Sequence, residues 1–265
     1  MTIDDRKLEA AMTSLATTAP PSLAMGVLAE VGLVDRYATI DSPIGPLVVA
    51  WNGLGVSIVD EARDEAGFEA AHERRTGRRA SRAERLPDAL ERAIRRRLAG
   101  DRRVRINLDL RGHTAFERDV WHKALEIPRG EVRPYGWVAA EIGRPRAVRA
   151  VGSALGHNPV PLIVPCHRVV RSDGTIGQYS LGGPHNKRTI LAAEGLDPDR
   201  LESDGRAGTR FVGSDTTGVV CLPTCHHARR ISPAHRVPFR SMASAAAAGY
   251  RPCRVCRSGS GALAA

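Results

Sequence analysis

The chain has 265 residues, 42% of them hydrophobic, enough to bury one large core or a few smaller ones, so one to three domains are expected. It has no run of about 18 apolar residues, and Asp4 and Asp5 stand where a secretory leader would be basic, so the expected location is the cytoplasm and not a membrane. The formal charge of +10 is almost wholly arginine, lysine occurring only at Lys7, Lys123 and Lys187, and the stretch from Thr209 onward supplies +7 of it through eight arginines and one aspartate. Such a concentration points to a polyanionic partner.

Residues 1–34 read as an N-terminal helical extension, two short helices split by Pro20-Pro21, to which no function is assigned. Residues 35–111 read as an α+β unit. Within "YATIDSPIGPLVVAWNGLGVSIV", residues 37–59, three short strands are separated by "SPIGP" and "NGLG", where proline and glycine supply turn dihedrals. Charged helical patterns follow near 61–76 and 86–99, and Val104, Ile106, Leu108 and Leu110 alternate as a further strand would. The expectation is a small antiparallel sheet with helices.

From 112 to 196 the pattern turns helical: "FERDVWHKALEI", "YGWVAAEIG" and "RAVRAVGSALG", the last two separated by the "GRP" break of a helix-turn-helix. At ~3.6 residues per turn, Val148, Val151 and Leu155 share the inner face of the second helix, while Arg146, Arg149, Ala150, Ser153 and His157 share the outer one. A face so basic and small suits a nucleic-acid groove, although a solvated helix has the same pattern. Residues 197–208 have linker composition, 209–258 form a small cysteine-bearing module, and 259–265 read as a disordered tail.

The five cysteines divide one and four. Cys166 stands alone in "LIVPCHRVV", where Pro165 stiffens the exit from an apolar, strand-like run and His167 and Arg168 follow at once. A core-filling thiol needs no such neighbours; a reactive one does. Cys221, Cys225, Cys253 and Cys256 form C-x3-C and C-x2-C pairs with 27 residues between them, the spacing of a four-thiolate zinc site holding one ion. His226 and His227 are not needed as ligands and are expected on the surface.

"FERDVW", "IPRGEVRPYGWVAAEIGRPRAVRAVGSALGHNPVPLIVPCHRVVRSDGTIGQYSLGG" and "AAEG", in that order, resemble the O6-alkylguanine-DNA alkyltransferases, over about residues 37–196. The resemblance implies irreversible transfer of an alkyl group from guanine O6 in double-stranded DNA to Cys166, which keeps it as a thioether. It implies His167 as a base acting through water, Glu194 as the carboxylate orienting it, and Asn158 as the link to the cysteine loop. Tyr135 would help protonate the departing base, Ser180 would lie near guanine O6, Arg149 would fill the place of the flipped nucleotide, and Arg168 would contact DNA. Pro134 stands where the family usually has serine or threonine, a change expected at the start of that helix, and "SLGG" carries one residue more than some members have before Lys187.

"FVGSDTTGVVCLPTC" and "AAGYRPCRVC" are similar to the Ada-type zinc domain. This implies Cys221 as a second methyl acceptor, from DNA phosphotriesters, with Leu222 and Val255 where basic residues are usual. The expected protein is a monomeric repair alkyltransferase fused to a zinc module. Its alternative, a damage sensor or transcriptional regulator controlled by methylation of that module, would carry a further helical DNA-binding domain, which the nine residues after Cys256 do not suggest.

Overall fold

The computed structural model describes residues 21–62 and 64–256. Of the two helices expected at the N-terminus, the first lies outside these residues, as does the 259–265 tail; the second is α1, Pro21–Glu30. The three expected strands form β1 (Asp35–Ile40), β2 (Leu47–Asn52) and β3 (Gly55–Glu61), an antiparallel meander. Helix α2 (Glu65–Thr76) then leads to β4 (Ala80–Arg82), which adds to β1 in parallel, giving the order β3-β2-β1-β4. Strand β2 is buried along its whole length. Both faces of the sheet are covered: Val48 and Ala50 pack with Tyr37, Ile58 and Phe68, while Leu47, Val49 and Trp51 face the main core.

The alternation at 104–110 does not make a strand. Leu108 forms one isolated bridge, with Val56 donating to Asn107 and accepting from Asp109. The neighbouring Asp109 side chain is bonded to Asn52 and Arg111. Helix α3 (Asp88–Leu98) carries Arg95, Arg96 and Arg97 in the last turn, as the helix dipole favours.

Helix α4 (Ala115–Leu125) begins with a capping box between Thr114 and Glu117. It packs against the expected helix pair, α5 (Tyr135–Glu141) and α6 (Val148–Gly156), and the indole of Trp121 donates to Ala154 O across 2.8 Å. Gly143 supplies the left-handed turn between them at φ 72°. Val151, Ala154 and Leu155 face inward, while Val148, expected with them, is 40% exposed because it opens the helix at the rim of the turn. Pro134 is the uncapped entry to α5, and it lies in a two-residue strand, β5 (Arg133–Pro134), parallel to β6 (Val169–Val170). One core runs from the sheet through α4, α5 and α6 to Cys166, so the sheet and the helix pair hold the cysteine loop together.

Helix α7 (Gly183–Ala193) ends at Glu194. The segment read as a linker folds instead as α8 (Pro198–Arg206), with Asp197 accepting from Arg200 N and proline in the first turn. Its Asp-Pro start is a helix signal as much as a linker signal. Packing decides the matter, since Leu201 is buried with Val132, Val170, Ile176 and Leu191. A Cβ on Gly205 would sit 2.2 Å from Asp173 O, so the helix lies against the Asp173-Gly174 turn with no room for a side chain. The last module has β7 (Phe211–Ser214), β8 (Val219–Cys221), a short helix α9 (His226–Arg229), β9 (Arg236–Phe239), α10 (Met242–Ala247) and β10 (Arg251–Pro252), in the sheet order β10-β8-β7-β9. Its core is small: four cysteines with Phe211, Val220, Leu222, Ala228 and Ala245. A metal staple is what such a module needs.

Candidate active site and metal centre

The apolar run before Cys166 is a turn, not the expected strand-like segment: Val164 N donates to Val160 O and Leu162 has φ 71°, the one positive φ of a non-glycine among the described residues. A bulky residue held there stores strain, here four residues from the thiol. Asn158 braces the turn by accepting from Val160 N at 3.1 Å and donating to Val164 O at 3.0 Å, and the same amide donates to Cys166 Sγ at 3.1 Å. Pro159 O accepts from Val59 N, so strand β3 anchors the turn from the other side.

Cys166, His167 and Arg168 form a single 3-10 turn, all buried. His167 Nε2 lies 3.0 Å from Glu194 Oε1. Because an ionised carboxylate only accepts, the proton sits on Nε2 and Nδ1 is left basic; that nitrogen is buried with no hydrogen-bond partner. Arg168 does not reach outward to DNA as expected. Its guanidinium is bonded to Glu194 at 2.6 Å and to Ile127 O at 2.7 Å, and the residue is 6% exposed, so it is a partner of Glu194.

Burial sets the electrostatics. It pushes the Cys166 thiol up, against the Asn158 amide and the charge of Lys187, and it pushes the His167 imidazole down, against Glu194. At Glu194, burial acts upward but is outweighed by the hydrogen bonds from His167 and Arg168, which hold the carboxyl at about 2. The resting pair is thus a neutral thiol beside a neutral imidazole. The thiol needs a base at the moment of reaction, and the neutral ring can be one.

Tyr135, at the first turn of α5, is half-buried, and burial raises its phenol. Near its ring, at 6.0 Å, is Lys187 Nζ, a residue that sequence reasoning missed. Lys187 is 1% exposed, donates to Val169 O at 2.7 Å and is lowered by burial to about 8. The only sequence signal was its rarity in an arginine-rich chain. Arg149 and Ser180 are both exposed, Arg149 on the outer face of α6 with Ala150, Ser153 and the C-terminal His157, while Arg146, expected on that face, is exposed in the turn before the helix.

The four remaining cysteines meet, all buried, with their sulfurs within 4.8 Å of one another. Leu222 N points to Cys256 Sγ and Val255 N to Cys253 Sγ, each at 3.4 Å. Four thiolates so close repel one another, and backbone N–H groups aimed at sulfur favour the charged form, so the set fits one divalent, thiolate-bound zinc. Beside it runs a groove of about 660 Å³ lined by Cys221, His227, Arg230, Arg251 and Arg254. Leu222 faces the other way, lining a crevice with Val132 and Trp137. That explains a leucine where a basic residue is usual: the position is covered by the alkyl-transfer half. His226 and His227 are both exposed as expected, and His226 is in addition tied, through its N–H and Nδ1, to the buried carboxylate of Glu131 at 3.1 and 3.2 Å.

Comparison with known proteins agrees with this geometry. The DNA-binding domain of 6-O-methylguanine DNA methyltransferase matches residues 115–196, and the metal-binding domain of Ada matches 200–258. The methylated-DNA–protein-cysteine methyltransferase of Mycobacterium bovis is 43% identical over 159 residues, 60% of this chain and 92% of its own length. The rat protein of the same name is 48% identical over 92 residues, 34% of this chain and 44% of its own. The crystal structure of an OGT variant of Mycobacterium tuberculosis superposes with a TM-score of 0.51 at 36% identity, over 61% of this chain and 93% of that one. The chain is a DNA-repair alkyltransferase that carries a zinc-binding Ada domain, and it belongs to the methylated-DNA–protein-cysteine S-methyltransferase family.

Proposed function

We propose that the chain, as a cytoplasmic monomer, removes alkyl groups from O6-alkylguanine in double-stranded DNA by one irreversible transfer to Cys166. The observation that carries this reading is the buried turn Cys166–Arg168, in which Asn158 donates to the Cys166 sulfur and Glu194 holds the adjacent His167 ring, together with the exposed Arg149 face of α6. His167 Nδ1 takes the thiol proton through a water, and Glu194 holds the ring and stabilises the imidazolium. The thiolate attacks the alkyl carbon. A C–S bond forms, the bond to guanine O6 breaks with its electron pair staying on the base, and Tyr135 supplies a proton to that base. Asn158 and Lys187 offer a donor and a positive charge to the sulfur. Full ionisation gains only about 30-fold over a free thiol at neutral pH, so most of the acceleration comes from alignment. The guanine must leave the stack, at a cost of about a few kcal/mol, and in this reading the exposed Arg149 of α6 fills the gap and the exposed Ser180 lies near guanine O6.

Intact-mass and peptide mapping after incubation with duplex DNA containing O6-methylguanine tests this. One added methyl on Cys166, absent in Cys166→Ser, is expected; transfer that survives the substitution refutes the assignment.

The groove beside Cys221 favours a second acceptor. Three arginines and two histidines line the groove that Cys221 borders, a setting that gathers DNA backbone; with zinc held by the four cysteines, the Cys221 sulfur would be an electron-rich nucleophile able to take the methyl of a phosphotriester and leave the phosphodiester. Mapping with methyl-phosphotriester DNA should place a methyl on Cys221 and on no other zinc ligand. An unmodified Cys221 in zinc-loaded protein would make the module a docking element only.

A further inference from the structure

The zinc module is joined to the alkyl-transfer site by more than the chain. The segment Arg129–Val132 runs between them and is held on both sides. Toward Cys166, Gly130 N donates to Glu194 Oε2 at 3.2 Å, and the Arg129 guanidinium donates to the carbonyls of Ala193 and Glu194. Toward the metal, Thr224 Oγ1 accepts from Val132 N at 2.9 Å and donates to Val132 O at 3.3 Å, so one hydroxyl satisfies both backbone groups of a buried residue. Glu131, 1% exposed, binds His226 on that side and, at 2.6 Å, Arg133 on its own. Thr224 and His226 flank the zinc ligand Cys225. Beyond Arg133, the β5–β6 pairing sets Arg133 against Val169 and Pro134 against Val170, next to the Cys166 turn and Tyr135.

We infer that the metal-binding turn Thr224–Cys225–His226 braces the strap Gly130–Val132 against Glu194, so that zinc in the four-cysteine site governs alkyl transfer at Cys166, with Thr224 and Glu131 as positioning residues. The physical reason is cooperativity between two marginal elements. The strap carries buried backbone groups that need the Thr224 hydroxyl, and the module carrying that hydroxyl has too small a core to hold its turn without metal. Ordering one lowers the cost of ordering the other. The inference rests on the alkyl transfer proposed above, but its main readout does not.

Amide hydrogen exchange over residues 128–135 and 160–170, and single-turnover methyl transfer from O6-methylguanine duplex, are compared in full-length zinc-loaded protein, in the same protein after chelation, and in Thr224→Val and Thr224→Ser. Thr224→Val should retain one zinc per chain, raise exchange at Gly130 and Val132 about fivefold, and slow transfer by a similar factor. Thr224→Ser, which keeps the hydroxyl, should restore both, and chelation should exceed Thr224→Val in both. Exchange at 128–135 that stays unchanged while chelation unfolds the module would overturn the brace. Failure of the zinc-loaded protein to methylate Cys166 at all would instead overturn the proposed function, and the exchange readout would still decide the brace.

Discussion

The side-chain amide of Asn158 reaches the sulfur of Cys166 across 3.1 Å while its oxygen and second donor direction fix the turn at Val160 and Val164. One residue therefore shapes the loop that presents the thiol and supplies a donor to the thiolate. In a site that burial makes hostile to charge, that donor acts on the charged form, where a hydrogen bond is strongest.

Replacing Asn158 separates these duties. Asn158→Asp keeps the acceptor for Val160 N but sets a carboxylate against the sulfur, and transfer to Cys166 should slow by about 10-fold or more, the loss of one charge-assisted hydrogen bond. Asn158→Ala should add a fall in thermal midpoint of several degrees. Single-turnover rates within about twofold of the parent in both variants would refute the role.

Acid stability should depend on Glu194. Its carboxyl is held at about 2, below the ordinary 4.5, so the folded state binds fewer protons than the unfolded one in that interval. The stability it contributes is present above pH 4.5 and is lost as pH falls toward 2. Glu194→Gln should be less stable at neutral pH and lose less between those limits. Parallel acid-unfolding curves for parent and variant would contradict the ionised, doubly bonded carboxylate.

Arg149→Ala removes an exposed side chain from the outer face of α6 and should not change the thermal midpoint. It should slow transfer from duplex DNA more than transfer from free O6-alkylguanine base, because only the duplex demands that a flipped nucleotide be kept out of the stack. Equal slowing on both substrates would place Arg149 outside the flipping step.

Leu222→Arg restores the basic residue usual in zinc domains of this type and should be harmful here. Leu222 is 5% exposed and faces Val132 and Trp137, so the substitution buries an unpaired charge and should destabilise the protein by about 2–4 kcal/mol. A chemical-denaturation midpoint equal to the parent's would show that the two halves part readily at this surface.

Much of this protein is written locally. The Pro-Cys-His-Arg turn, the two cysteine pairs, the helix pair split by "GRP" and the three turn-bounded strands are each specified by neighbours in sequence, through proline and glycine dihedrals, hydrophobic period and ligand spacing. What only the tertiary structure decided involves partners far apart along the chain: Glu194 shared by His167 and Arg168 from 27 and 26 residues away, and Thr224 and His226 docked on Val132 and Glu131 from 92 and 95 away. A periodicity cannot register such pairings. The same limit explains the misread segments: 104–110 alternates like a strand but lacks a partner beyond Val56, and 197–208 has the composition of a linker until Leu201 finds a core to enter. Arg168, basic and beside the nucleophile, could have faced DNA or a carboxylate, and the fold placed Glu194 within reach, where desolvation of the arginine is repaid by a bonded counter-charge.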